Sequence, residues 1–317
     1  MKTRRLGRTD LQVSELSLGG VFVMSGCTSF DNARGAVQCA LAGGVNLIDT
    51  APNYGDSEEV LGRALEGVTQ PLFLSTKLGG HPKPFDPKDR DCLLKSVEES
   101  LRLLKRDHID ILIVHEPDDP SIYDWWPDPE RFTGPITEVL DELRSQGIIS
   151  FIGLGGVTAY ALAPVVDSGA FDVVLTAFNY DVLYREAVHE ILPAAARHDV
   201  GVILGSPLHQ GVLATRHDDK LADPRALCKP RREQFQALYA LLDETGMALP
   251  ELGLRFALSN PQISTVLTGA SNAEQMQSNL DAVEKGPLDE GLIQRLDTIA
   301  DMVPFRPQGE TWIPFRR

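Results

Sequence analysis

Residues Gly44–Gly55 read GVNLIDTAPNYG, and the reading of this stretch decides the fold. Val45, Leu47 and Ile48 form a short apolar run of strand type, interrupted only by Asn46. The run stops in a carboxylate, Asp49, and a Pro-containing loop then presents a phenol, Tyr54. A strand that delivers an acid and a tyrosine from its C-terminal end is typical of the mouth of an α/β protein. The plainer reading is a strand end with a helix-capping Asp and a surface Tyr. The flanking sequence weighs between them.

Outward from this stretch, short apolar runs alternate with segments of helical period. Strands are expected at Leu16–Gly20, Val45–Asp49, Leu72–Lys77, Ile109–His115, Phe151–Gly156, Val173–Asn179, Val202–Pro207 and Ser264–Ala270. Between them, Asp31–Leu41 puts Ala33, Ala36, Val37, Ala40 and Leu41 on one helical face and stops at Gly43–Gly44. Val60, Leu61, Ala64 and Leu65 repeat the stripe, as do Leu94, Val97, Leu101 and Leu104. Further helices are expected over Pro135–Ser145, Tyr160–Val166, Glu186–Arg197, Glu233–Leu242 and Asn272–Val283. Eight β units each followed by a helix, with no linker, imply one domain over residues 1–317, a closed (β/α)8 barrel of the TIM type. A doubly wound sheet would announce itself by a glycine-rich first turn. Here GLGGVT at Gly153–Thr158 has Thr in place of the third glycine and comes too late in the chain. Outside the barrel units, RRLGRTDLQVS reads as an N-terminal β-hairpin turning at Arg8–Asp10, and Leu288–Val303 as a C-terminal helix before a tail with Phe305, Trp312 and Phe315. The loops Pro117–Gly134 and Leu208–Arg232 are longer than ordinary βα connections.

Composition narrows the partners. With 45 acids against 30 bases the net charge is −15, which disfavours nucleic acid or an anionic membrane. Four widely spaced cysteines without a CxxC suit a reducing compartment, and the start MKTRRLGRTD has no apolar leader, so a cytoplasmic protein is expected. The histidines form no HExxH and no Cys/His ligand spacing, and no metal is expected.

In such a barrel the chemistry sits at the C-terminal strand ends. Those ends offer Asp49 and Tyr54, then Lys77, then His115, each closing an apolar run where a charge is costly unless paired. Asp49 can pair with Lys77. Lys77 beside Tyr54 is expected to lower the phenol pKa and make Tyr54 a proton donor near neutral pH. His115 can donate a hydrogen bond to a carbonyl oxygen.

The sequence here resembles the aldo-keto reductase family over nearly its whole length. RRLGRTDLQVSELSLGG is similar to the family's opening hairpin and first strand, and GVNLIDTAPNYGDSEEVLGRAL to its most characteristic motif. STKLG, the strand ending in His115, SPLHQGVL and TGASNAEQMQSN follow in the family's order. The resemblance implies the same barrel, a catalytic tetrad of Asp49, Tyr54, Lys77 and His115, and a bound nicotinamide dinucleotide. The residues it implies for the nucleotide are Gly20, Val21, Asp49 and Asn179, then Ser206, Pro207, Leu208, Gln210, Gly211 and Arg216. At the far end they are Gly269, Ser271, Gln275 and Asn279.

The match departs from the family around the nicotinamide. Gly155 and Gly156 stand where many members have a Ser-Asn pair, and Gly205 where an aromatic residue often stacks on the ring. These glycines are closer to the sugar and aldose dehydrogenase branches. At the adenosine end Gly269 and Gln275 replace cations that grip a 2′-phosphate, so NADP would need Arg216 or Lys220 from the seventh loop. NADP is expected as the family default, with NAD close behind. For the substrate, Trp125 and Trp126 either overhang the pocket, stacking on a sugar or aromatic aldehyde, or pack their loop onto the barrel. Glu116 offers a carboxylate to hydroxyl groups, which favours an aldose or polyol-like aldehyde. Three functions remain open: an NAD(P)H-dependent reductase of small aldehydes or sugars, an NAD-dependent aldose 1-dehydrogenase, and a non-catalytic nucleotide-sensing subunit.

Overall fold

The computed structural model describes residues 1–128, 131–223 and 225–304. β1 (Thr3–Arg5) and β2 (Gln12–Ser14) form an antiparallel hairpin around a 3-10 turn at Gly7–Thr9. Eight parallel strands then close a barrel: β3 (Leu16–Gly19), β4 (Leu47–Asp49), β5 (Phe73–Leu78), β6 (Ile109–His115), β7 (Ile149–Gly156), β8 (Val173–Ala177), β9 (Gly201–Gly205) and β10 (Thr265–Gly269). β10 pairs with β3 and completes the ring, so a (β/α)8 barrel it is.

The outer layer starts with α1 (Phe30–Ala42), α2 (Ser57–Ala64), α3 (Arg90–Leu104), α4 (Pro135–Ser145) and α5 (Ala159–Asp167). Their ends carry local signals: Ser29 accepts from the Asn32 N–H ahead of α1, Asp89 caps α3, and α3 stops at Lys105 in the left-handed region. The expected helix over 186–197 is broken at Glu190 into α6 (Glu186–His189) and α7 (Ile191–Arg197). Pro193 in the first turn of α7 has no N–H to carry a helical bond back across that break.

The seventh unit differs more. β9 is followed by α8 (Asp218–Ala222), α9 (Lys229–Thr245) and α10 (Leu249–Leu258). The helix packed on β10 is α10, which the sequence reading passed over; α9 instead meets the C-terminal α12. The LPELGLRFAL of α10 buries Leu249, Leu252, Leu254, Phe256, Ala257 and Leu258 against the barrel and its neighbours. α11 (Ala273–Glu284) and α12 (Glu290–Asp301) end the described chain, and Phe305, Trp312 and Phe315 lie outside the described residues.

The hairpin closes the far end of the barrel. Leu6 and Val13 join Leu47, Ile111, Ile113, Val173, Leu175, Ile203 and Leu267 in the interior core. Asn46 clips it in place: its Oδ1 accepts from Ser14 N (2.7 Å) and its Nδ2 donates to the Gln12 carbonyl (2.8 Å). That clip explains both the polar interruption in the opening stretch and the start of β4 at Leu47 rather than Val45.

Candidate active site

Strand alternation builds the site. Side chains two apart share a face, so the inward series Leu47–Asp49, Ser75–Lys77 and Ile111–Ile113–His115 each run from the interior core to the open end. Asp49, Lys77 and His115 are thereby the top layer of one arc of the barrel, and all are buried. Lys77 Nζ donates to Asp49 Oδ2 (2.6 Å) and to the Thr50 carbonyl (2.7 Å), while Ser75 Oγ donates to Asp49 Oδ1 (2.8 Å). Tyr54 follows a turn closed by its own N–H on the Ala51 carbonyl. Its ring centroid lies 4.9 Å from Lys77 Nζ and 6.0 Å from the His115 ring, edge to face. The four side chains picked from sequence are one cluster.

The electrostatics differ from expectation at one point. Burial raises the Tyr54 pKa and outweighs Lys77, whose pull is itself offset by Asp49 and Glu116. The expected lowering of the phenol is therefore not found: Lys77 does favour the phenolate, but the cost of burying that charge is larger. Burial opposes the charge on Lys77, but Asp49 and then Tyr54 hold its pKa above the ordinary value. Burial likewise pushes Asp49 up against the pull of Lys77. Burial, followed by the Lys77 charge, keeps His115 well below the ordinary histidine value. The set is an ion pair, a protonated phenol and a neutral imidazole, with His115 Nδ1 buried and lacking a hydrogen-bond partner among the described residues.

The opposite arc is built from small residues. The inward positions closing β7, β8, β9 and β10 are Gly155, Ala177, Gly205 and Gly269. A Cβ on Gly155 would press Ile113 Cγ2 at 3.0 Å, and one on Gly205 would press Leu175 Cδ2 at 3.1 Å. These glycines project no side chain past Ile113 and Leu175, a low shelf opposite the polar arc whose chemistry suits the flat ring of the expected nicotinamide. Gly156 differs: the space a side chain would take is filled by the Asp118 carboxylate, which accepts the N–H groups of Val157 (2.8 Å) and Thr158 (2.6 Å). At Gly269 the neighbour is Phe22, a half-exposed ring beside Val21 that the sequence reading did not single out.

The remaining expected nucleotide residues are spread along this arc. Gly20 is tight against Ser57, whose Oγ donates to the Gly20 carbonyl (2.7 Å). Asn179 is buried and donates to Thr176 Oγ1 (2.9 Å). After β9 the backbone of Ser206, His209, Gln210 and Gly211 has positive φ, around Pro207 and Leu208. The turns are closed internally, the His209 N–H donating to the Ser206 carbonyl (2.9 Å) and the Gly211 N–H to the Leu208 carbonyl (2.9 Å). Ser271 N and Oγ both donate to Gln275 Oε1 (2.9 Å each), and Asn279 donates to Thr268 Oγ1 (2.9 Å). Arg216 is shared between Asp218 and Asp243 and stacks on Tyr239, and Lys220 pairs with Asp219.

On the substrate side the indoles do not overhang the mouth. Trp125 is 1% exposed and its Nε1 donates to the His115 carbonyl (2.8 Å). Trp126 is 7% exposed and packs on Phe132 and Phe171. Both hold the Pro117–Gly134 loop to the barrel, so stacking on a substrate is corrected to packing, because a buried ring has no face to offer. Tyr123, half exposed, stands beside His115 with ring centroids 6.5 Å apart, and Phe85 meets it edge-on. Sequence reasoning noted Tyr123 only as part of its loop and missed Phe85; aromatic residues in the loops after both β5 and β6 were the available signal. Glu116, with φ 48°, places its charge near the phenols of both Tyr54 and Tyr123.

Among the described residues no group of acids, histidines and cysteines is arranged to hold a metal, and no helix is long and apolar enough to cross a membrane. The family model described as Aldo/keto reductase family matches residues 15–301. L-galactose dehydrogenase of Arabidopsis thaliana is 30% identical, over 96% of this chain and 95% of its own. A probable voltage-gated potassium channel subunit beta of the same plant is 27% identical, over 97% and 98%. Among solved structures, an aldo-keto reductase from Bacillus halodurans in its holo form superposes with TM-score 0.79 at 27% identity, covering 96% of this chain and 98% of that one.

Proposed function

The chain belongs to the aldo/keto reductase family, and on that premise we propose that it interconverts a small aldehyde or sugar carbonyl and its alcohol, using a nicotinamide dinucleotide. The observation that carries the reading is the Lys77 ammonium bonded to Asp49 beside the Tyr54 ring and His115, facing the shelf of Gly155, Ala177 and Gly205. When bound, the reduced nicotinamide supplies the hydride. The glycine shelf admits the ring, the loop 206–211 takes the diphosphate, and Ser271, Gln275 and Asn279 take the adenosine side.

The chain's own work is on the carbonyl oxygen. Tyr54 donates its phenolic proton as negative charge develops there, and Lys77 stabilises the phenolate left behind. Asp49 holds Lys77 charged and in place. His115, being neutral, donates one N–H to the same oxygen without bringing a competing charge. A phenol pKa raised by burial suits an acid that must arrive protonated.

The family default is NADPH, but the pairing of Arg216 and Lys220 with acids, and the uncharged Gly269 and Gln275, support NADH. Glu116 near Tyr54 and the similarity to L-galactose dehydrogenase support a second reading, an aldose oxidised at its anomeric carbon to a lactone. The test follows consumption of NADH and NADPH with a panel of aldehydes, and reduction of NAD+ and NADP+ with aldoses, for the wild type and Tyr54→Phe. Turnover lost in the variant supports the reductase; a strong preference for NAD+ with an aldose supports the dehydrogenase. Equal, near-zero rates throughout would leave the non-catalytic subunit, a reading that the similarity to a probable potassium channel subunit beta supports only weakly.

A further inference from the structure

Behind the substrate side of the mouth stands a second set of polar side chains that the proposed reaction does not use. Glu58, in the first turn of α2, is buried, where a lone carboxylate is costly. Its Oε1 accepts from Thr76 Oγ1 (2.7 Å), on the outward face of β5 one residue before Lys77. Its Oε2 lies 3.0 Å from Nε2 of His81, in the loop after β5. His81 Nδ1 is buried without a hydrogen-bond partner among the described residues, so the bond to Glu58 alone orients the ring.

What this pair fastens gives it a purpose. Between Leu78 and His81 the chain passes through Gly79 at φ 119° and Gly80 at φ 104°, backbone that residues with side chains rarely adopt. A Cβ on Gly79 would stand 2.8 Å from Tyr123 Cζ, and one on Gly80 2.9 Å from the backbone N of Asn53. The glycines are thus a thin wedge, with Tyr123 against one side and the loop carrying Tyr54 against the other. Farther along, Phe85 meets Tyr123 at 5.4 Å and Trp125 at 5.7 Å between ring centroids. A segment without side chains has little packing of its own. The His81 imidazole at its end is what ties it to the barrel.

We infer that His81, held by Glu58, is a positioning residue that fixes this wedge, and through it the gap between Tyr54 and Tyr123 that sets how bulky a carbonyl compound the mouth accepts. The inference rests on the reductase reading for its kinetic consequence but not for its structural one. Releasing His81 frees Tyr123 and Phe85 to shift, while Tyr54, Lys77 and Asp49 keep their own bonds. Discrimination between large and small substrates is therefore lost before turnover is.

The experiment compares wild type, His81→Leu and His81→Gln, whose side-chain amide can keep a donor near Glu58. In His81→Leu the KM for benzaldehyde relative to that for methylglyoxal shifts by about tenfold, with kcat on methylglyoxal held within about twofold, and His81→Gln restores the ratio. A merely structural role would lower the active fraction for every substrate and leave the ratio unchanged. In parallel, hydrogen exchange of the nucleotide-free protein should quicken by about tenfold in the 79–86 peptide and stay unchanged in 206–213. An unchanged KM ratio and unchanged exchange in an active enzyme overturn the inference. Quickened exchange in a protein whose wild type reduces nothing keeps the wedge and its tie but overturns the reductase reading and, with it, the selectivity role.

Discussion

The two arcs of the barrel mouth solve different problems with different materials. From β4 to β6 the top layer is made of chemistry-bearing side chains, Asp49, Lys77 and His115, whose positions follow from strand alternation. From β7 to β10 it is made of what is missing, Gly155, Ala177, Gly205 and Gly269, backed by the loop proposed above to take the diphosphate. On the proposed function, one arc acts through the groups it holds and the other through the side chains it lacks. A substitution should therefore damage them in different currencies: proton transfer on the first, nucleotide affinity on the second.

The most severe way to test this division is Tyr54→Phe. It should lower kcat for reduction by about 10²- to 10⁴-fold while nucleotide affinity, read by fluorescence titration, stays put. A matching loss of affinity would blur the two arcs into one. Next in size is Lys77→Met, which leaves Asp49 buried without its cation and should cost about 3–5 kcal/mol in denaturant unfolding. The double variant Lys77→Met with Asp49→Asn should recover much of that loss, because the stranded charge goes too. If it recovers nothing, the pair is not the reason the polar arc is stable.

On the other arc, Gly205→Leu fills the shelf. It should weaken nucleotide binding by tenfold or more, equivalent to about 1.4 kcal/mol, and leave the ion pair and phenol untouched. The gentlest probe is pH. His115 titrates well below its ordinary value when folded, so only the unfolded chain takes up its proton as pH falls below about 6.5. Its contribution is complete above that pH and is lost below it, at up to about 1.4 kcal/mol per pH unit until the folded imidazole also protonates. His115→Gln should unfold with a shallower acid slope than wild type. Equal slopes would mean that the ring is not held neutral.

The same division governs what could be read beforehand. Each of Asp49, Lys77 and His115 breaks an apolar run, and a charge at the end of a buried strand is visible without coordinates. Eight strands and the hairpin were equally visible, since alternation and turn residues are local. α10 was not, because Glu233–Leu242 within α9 already supplied the one helix that the seventh unit calls for. Nor were the positive φ values of His209 and Gln210, which no rule for non-glycine residues predicts. Tyr123 and Trp125 sit two residues apart in one aromatic loop, and only packing distinguishes the ring beside His115 from the ring beneath it. The Tyr54 pKa was misjudged for a related reason: the neighbours are legible, but the depth of burial that outweighs them is not.

Trp125 has a practical consequence. Its indole is shielded from solvent, hydrogen-bonded through Nε1 to the His115 carbonyl, and next to Tyr123 at the rim. Reduced nicotinamide absorbs in the region where a shielded indole emits. The protein thus carries its own light source beside the place where that chromophore would lie, and quenching of its emission would report each arrival and departure without a label.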